Sequence, residues 1–244
     1  MSKQPLAGQK ILITGAAQRI GQALALACAQ AGADILLHYQ RSQQAAQATA
    51  AEIASFGRQA WLIQADLSVP EQIEQLISKA GLHRPLAGLI NNAAIFEPLL
   101  PGETALADWN RHLTINLTAP FLLSQAFADS LSDGKAGRII NILDWRALRP
   151  GADHFPYTIS KAALAAMTRS LAVAFAPRIT VNGLALGAIL PPTHGGDNPQ
   201  IIKPVPAQRW GELDEVSQAL LFLLTGPTYI TGEILHVDGG RHLI

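Results

Sequence analysis

Short apolar runs recur along the chain, and between them lie longer segments whose small and apolar residues repeat at helical spacing. KILIT (10–14) runs into a glycine turn, and an Ala/Leu-rich helix from about Arg19 to Ala31 closes at Gly32. ADILLHY (33–39) is the second strand candidate, followed by an Ala/Gln-rich helix ending near Gly57. QAWLIQADLS (59–68) supplies a third strand and its polar end, and a helix over about Pro70–Lys79 leads to the fourth, LAGLINNAA (86–94). Trp109 to Leu131 has the pattern of one long helix with a bend at Pro120, whose ring removes a backbone donor. GRIINIL (137–143), a long helix from about His154 to Phe175, and RITVNGLAL (178–186) come next. A Pro/Gly-rich loop over about 187–206, a helix near Leu213–Leu224 and a last strand, GEILHV (232–237), complete the pattern.

Strands separated by helices of this length become parallel neighbours, with the helices covering both faces of the sheet. The expected fold is α/β, a single-domain doubly wound (Rossmann) parallel sheet over 1–244, since no repeat, linker or low-complexity tract interrupts it. In such sheets ligands collect beyond the carboxyl ends of the strands, so the loops there carry the chemical reading.

Composition narrows the classes further. Hydrophobic residues make up 49% of the 244 and charged residues 15%, enough for an extensive core. The formal net charge is zero, which offers no basic field for nucleic acid or an anionic membrane. Cys28 is the lone cysteine, excluding an intramolecular disulfide and a cysteine metal cage, and its small apolar neighbours suit a buried helix position. The seven histidines show no metal-ligand spacing, and no GxSxG elbow occurs. Neither a signal-like run in MSKQPLAGQK nor a stretch of ~18 apolar residues is present, so a cytoplasmic protein without a membrane anchor is expected.

The loop after the first strand is TGAAQRIG, Thr14 to Gly21. Its small residues Gly15, Ala16 and Ala17 let the backbone approach a pyrophosphate, whose charge a helix N-terminus favours. A glycine turn alone serves packing in many α/β proteins, but here NNAA (91–94), Asn116 and Tyr157-x-x-x-Lys161 follow in order. This set resembles the signature of the short-chain dehydrogenase/reductase family, from the first strand to the closing VDGG (237–240). The resemblance implies a nicotinamide cofactor. It places Gly15, Arg19, Ile20 and Gly21 at the phosphates, Tyr39, Arg41 and Ser42 at the adenosine ribose, and Asp66 and Leu67 at the adenine. Asn91, Asn92 and Ala93 would line the cofactor's centre, Thr14 and Asn91 bracing neighbouring loops as much as touching it, with Gly187 and the Ile189 backbone at the nicotinamide. Asp66 has a second reading, as an ordinary residue at a helix N-terminus.

Several departures from the family pattern point one way. Arg19 replaces the middle glycine of TGxxxGxG, as in the subset that resembles pteridine reductases, and could neutralise a 2′-phosphate. An uncompensated cation at the positive end of a helix dipole is otherwise mildly unfavourable. The second strand ends in HYQRS (38–42) with Arg41 and Ser42 and no carboxylate for ribose hydroxyls, which favours NADPH over NADH. At the end of the fifth strand, thirteen residues before Tyr157, Asp144 stands where most of the family has serine. A carboxyl beside a phenol suits proton delivery to a ring nitrogen, whereas its second reading is a carboxylate that caps the loop, in an enzyme that reduces ordinary carbonyls poorly. Phe96 stands where similar reductases stack an aromatic on a pterin, although a phenylalanine after a strand is commonly core.

Tyr157 and Lys161 share one helix face, and the lysine charge is expected to lower the phenol pKa toward operating pH. The resemblance gives Asn116 a water linking Lys161 to solvent. Trp145 and Arg146 follow Asp144 at the substrate mouth without an assigned role. The leading expectation is NADPH-dependent hydride transfer to a C=N bond of a small pterin or folate-like substrate, with Asp144, Tyr157 and Phe96 touching it. A general carbonyl or 3-oxoacyl reductase and a non-catalytic NADP(H) sensor are the alternatives. Relatives imply a homotetramer or homodimer and no nucleic-acid partner.

Overall fold

The first apolar run becomes strand β1 (Lys10–Ile13), and its alternation sets the architecture: Ile11 and Ile13 enter one core, Leu12 the other. Both faces of the strand are therefore buried, which only a sheet covered on two sides allows. The computed structural model describes residues 4–81, 86–131, 134–191 and 199–244. In it β1 is joined by β2 (Asp34–Tyr39), β3 (Ala60–Gln64), β4 (Gly88–Asn91), β5 (Gly137–Asp144), β6 (Ile179–Leu186) and β7 (Ile234–Val237). The order across the sheet is β3-β2-β1-β4-β5-β6-β7, every neighbouring pair parallel.

The helices are α1 (Arg19–Gln30), α2 (Gln43–Ser55), α3 (Pro70–Gly81), α4 (Leu106–Leu113), α5 (Ala119–Ser130), α6 (Phe155–Ala174), α7 (Pro199–Ile202) and α8 (Leu213–Thr225). Leu24 of α1, Ile53 of α2 and Leu220 of α8 pack with Ile11, Ile13 and Ile140 on one face. Ile73 of α3, Phe127 of α5 and Leu171 of α6 pack with Leu12 and Ile139 on the other. Cys28 is fully buried in the first of these cores, and burial pushes its thiol up to about 12, so the thiolate needed for reactivity does not form.

Two elements differ from the sequence pattern. The helix expected over 109–131 begins earlier, at Leu106, and is broken by a π-helical turn over Thr114–Thr118. Pro120 then sits in the first turn of α5, where a missing N–H is tolerated. Proline has no N–H to return to the Asn116 carbonyl four residues back, so the wider π turn absorbs the mismatch that a kink was expected to absorb. The Pro/Gly-rich segment contains the four-residue α7 where only loop was expected, while residues 192–198 of that segment lie outside the described residues. No described helix is long and apolar enough to cross a membrane.

Phe127 has no exposed surface and fills the space beneath β5. Phe127→Ala is expected to lower the unfolding free energy by about 3–5 kcal/mol, read as a shift in the urea midpoint at unchanged slope.

Candidate functional site

At the end of β1 the chain turns at Gly15, whose φ of 63° lies in the left-handed region. α1 then packs so tightly on this turn that a Cβ at Gly21 would lie 2.1 Å from the Gly15 carbonyl oxygen. Any larger residue there would push the helix off the loop. The turn is fastened from both sides. Thr14 Oγ1 accepts from the Asn92 and Ala93 amides at 2.9 and 3.0 Å, and the Asn92 side chain donates to the Thr14 carbonyl at 2.8 Å. On the β2 side, the Gly15 amide donates to His38 Nδ1 at 3.0 Å, while His38 Nε2 meets the Ala65 carbonyl at 3.1 Å. These partners select the neutral imidazole protonated on Nε2. Burial pushes His38 down to about 4, with the Ala65 bond opposing. His38 was invisible in the sequence because it sits inside an apolar strand.

α1 begins with its first-turn amides uncapped by any side chain and with no acidic residue among them, the arrangement that receives an anion. Ile20 is half-buried there. Arg19 is exposed with φ 54°, left-handed backbone that glycine favours, and it donates to the Pro191 carbonyl at 3.2 Å. Tyr39 is buried, whereas Arg41 is exposed and Ser42 half-exposed beyond it. Asp66 Oδ1 accepts from the Ser68 amide and hydroxyl at 2.9 and 2.7 Å, closing the turn into α3. Leu67 is buried in the core, so only its backbone remains for a ligand. Asn91 is buried and braces its neighbouring strand, its side chain donating at 2.8 Å to Oδ1 of Asn141, its register partner on β5.

The end of β5 brings Asp144 against α6, where Tyr157 and Lys161 lie one turn apart. Tyr157 Oη donates to Asp144 Oδ2 at 3.1 Å, and Lys161 Nζ donates to the Ile142 carbonyl at 2.7 Å. Asp144 Oδ1 accepts from the Arg146 amide at 2.8 Å, with the Arg146 guanidinium 3.7 Å away. Burial pushes the Asp144 carboxyl up against the opposing pull of Arg146 and Lys161. Burial likewise brings Lys161 down to about 8.

The phenol corrects an expectation. Tyr157 is held well above its ordinary value, first by burial and then by the adjacent Asp144 charge, and is not lowered toward neutrality by Lys161. At neutral pH the phenol therefore keeps its proton.

Asn116 is buried, its Oδ1 accepting from the Ile95 amide at 2.9 Å and its Nδ2 donating to the Ile95 carbonyl and Ser160 Oγ, each at 3.0 Å. Both amide hydrogens are thus committed to tying the π turn to α6 and to the segment carrying Phe96. Phe96 is 52% exposed, stacks on His154 at 3.9 Å and meets Tyr157 edge-on at 4.7 Å. His154 contacts Asp153, and Asp153 binds Arg146 at 2.8 Å, so Phe96 and Asp144 are joined by a second route. Asp153 and His154 were missed because nothing in the sequence marks the left-handed residue that opens α6. Across the sheet, a Cβ at Gly187 would lie 2.6 Å from Asp238 Cα, so glycine permits β6 and β7 to close together there. Ile189 just beyond is buried.

The family described as enoyl-(acyl carrier protein) reductase matches residues 15–242. A 3-oxoacyl-[acyl-carrier-protein] reductase of Synechocystis is 35% identical over 241 residues, 96% of this chain and 97% of that protein. Among solved structures, FolM alternative dihydrofolate reductase 1 from Brucella canis, complexed with NADP, superposes with a TM-score of 0.91. It is 34% identical, with 98% of this chain and 96% of that one covered. A blue fluorescent protein from a metagenomic library, in complex with NADPH, gives a TM-score of 0.91 at 37% identity, covering 98% and 99%.

Because His38 is neutral when folded and takes a proton near its ordinary 6.5 when unfolded, its contribution is intact above that pH. It is lost as pH falls from about 6.5 toward 4, at most about 3 kcal/mol in all. Urea midpoints measured from pH 7 to pH 4 should fall more steeply for the unmodified chain than for His38→Gln.

Proposed function

The chain belongs to the short-chain dehydrogenase/reductase family, and from that footing we propose that it is an NADPH-dependent reductase of a C=N bond in a reduced pterin or folate-like ring. The observation that carries the reading is the Tyr157–Asp144 hydrogen bond of 3.1 Å at the end of β5, beside a half-exposed Phe96 ring. A ketone reductase needs one hydroxyl donor at a carbonyl oxygen. A ring nitrogen instead needs a proton delivered from a pair that can hand it over and take another.

The residues at the sheet's switch point fit NADPH. Gly15 and Gly21 let α1 close on the turn, and the open amides at the start of α1 carry no competing carboxylate. Ile20, Asn92 and Ala93 border the same turn, Gly187 and Ile189 lie at the end of β6, and Tyr39, Asp66 and Leu67 stand by the adenosine end. Arg41 and Ser42 beyond the end of β2, and Arg19 at the start of α1, supply charge and donors for a 2′-phosphate, whereas an acidic residue there would repel it. When bound, NADPH supplies the hydride.

This chain's own groups manage the rest. Tyr157 Oη gives its proton to the ring nitrogen as the carbon is reduced, and Asp144 stabilises the proton arrangement before and after. Lys161, with a value of about 8, is cationic at neutral pH and offsets the phenolate charge that proton release creates. Asn116 holds Ile95 and α6 in register, which fixes Phe96 against Tyr157. A flat heteroaromatic ring finds in Phe96 a face that asks for no particular polar pattern.

Purified protein should oxidise NADPH with 7,8-dihydrobiopterin or 7,8-dihydrofolate, and Tyr157→Phe should lower kcat about 100-fold or more. Asp144→Ser should weaken pterin turnover and favour acetoacetyl thioester. Turnover of the thioester alone by the unmodified chain sinks the pterin reading. Binding of NADPH without turnover of any of the three substrates would make the protein a sensor. Separately, Arg19→Gly should relieve its left-handed strain, raising the unfolding free energy by up to ~1 kcal/mol, while the KM for NADPH rises. A variant both less stable and unchanged toward NADPH contradicts this role.

A further inference from the structure

Three arginines gather beside the proton-handling pair, and their charges are unevenly matched. Arg146 has carboxylates on both sides, Asp153 at 2.8 Å and Asp144 at 3.7 Å. Arg149 is exposed a turn further on. Arg241, from the other end of the chain, brings its guanidinium over the Trp145 ring at 4.8 Å, and the Arg146 guanidinium lies over the same ring at 4.7 Å. Arg241 Nη1 is buried without a hydrogen-bond partner among the described residues, and so is Arg146 Nε. A buried donor left unpaired costs free energy, and two guanidinium groups over one indole repel each other. Burial and then the Arg146 and Arg149 charges all pull Arg241 down from its ordinary value, with only Asp153 opposing.

Arg241 is nevertheless held firmly in this place. Asp238 accepts from the Gly240 and His242 amides at 3.0 and 2.8 Å and from the His242 ring at 2.7 Å, bracketing Arg241 in a tight turn. Gly240, with φ 84°, lets the chain reverse immediately before it. A fixed backbone thus presents a cation onto an aromatic shelf that begins one residue after Asp144. Arg241 as a whole stays half-exposed, so an anion can approach its guanidinium and offset the crowded positive charge.

We propose that Arg241 and Arg146, laid over Trp145, form the far end of the substrate site and receive a carboxylate carried on the substrate's side chain. This rests on the pterin reading and deepens it: the preferred substrate bears an acidic tail, as folates do, rather than an uncharged hydroxyalkyl chain. Arg146 is tied to two aspartates, so Arg241 is the residue with charge to spare and sets the preference.

The test compares 7,8-dihydrofolate with 7,8-dihydrobiopterin as substrates for the unmodified chain, Arg241→Gln and Arg241→Lys. In parallel, calorimetric titration of p-aminobenzoylglutamate, the isolated acidic tail, is run on the same three proteins with NADP bound. In Arg241→Gln the ratio of the dihydrofolate KM to the dihydrobiopterin KM should rise about tenfold, the tail fragment should bind more weakly, and Arg241→Lys should recover part of both losses. An unchanged ratio, or equal loss for both substrates, overturns the proposal. So does a fall in oligomeric mass of Arg241→Gln by light scattering, which would make the residue a contact between copies. If the unmodified chain reduces neither pterin, the pterin reading fails by itself and the tail fragment alone decides. Weaker binding to Arg241→Gln then supports a carboxylate site, and equal binding overturns it.

Discussion

Two backbone segments from different strands must come within hydrogen-bond reach at the centre of the sheet, and most of the site depends on that closure. β1 and β4 are adjacent although far apart in sequence, and the loops leaving them diverge to opposite faces. Thr14 bridges them by accepting from both the Asn92 and Ala93 amides, and Asn92 returns a bond to the Thr14 carbonyl. His38 performs the same service toward β2 and β3, linking the Gly15 amide to the Ala65 carbonyl. With the turn held by three strands, α1 can lie against it at a distance that excludes any Cβ at Gly21. The amides at the start of α1 therefore point into a crevice whose walls are already fixed, and an anion entering it need not organise them.

A second closure lies on the other side of the same crevice. Asn116 clamps Ile95 through both its amide and its carbonyl while donating to Ser160, so α6 and the segment after β4 move as one piece. The π turn that carries Asn116 follows from Pro120, which denies the helix its ordinary bond at that point. Phe96 follows directly on Ile95 and Tyr157 lies one turn before Lys161, so the clamp sets the distance between an aromatic face and the phenol. A defect in helical geometry and a site dimension are thus connected through one asparagine.

Short continuous apolar runs identified all seven strands, and helical spacing identified the covering helices, because both faces of this sheet are buried and each pattern is locally complete. Helix ends and the π turn were not legible, since they depend on where tertiary contacts stop the ladder rather than on local preference. The site followed the same division. Asp144, Tyr157 and Lys161 could be read as neighbours from a strand end and one helix face. Asn91 and Asn92 could not be distinguished, because only the strand's actual exit decides which of them turns into the sheet. His38, Asp153, His154 and Arg241 gave no local sign, as their relevance comes from residues distant in sequence or from left-handed backbone. The direction of the Tyr157 shift was misread for a similar reason: charge proximity was visible in the sequence, burial was not.

Placing a carboxyl at the end of β5 has consequences that a serine would not. A buried carboxylate must be neutralised, paired or protonated. Asp144 is served by the Arg146 amide and guanidinium on one oxygen and the Tyr157 hydroxyl on the other. Arg146 in turn needs its own position fixed, which Asp153 provides and Trp145 supports from beneath. His154 then bonds Asp153 and stacks on Phe96, closing the circuit at the aromatic face. Each of these residues answers a requirement created by the one before it, beginning with the carboxyl. The segment from Asp144 to Tyr157 is therefore better understood as a single adaptation to an acid at that strand end than as a series of independent surface choices. A hydroxyl there would leave Arg146 with one carboxylate fewer and weaken the reason for Asp153 and His154 to lie where they do.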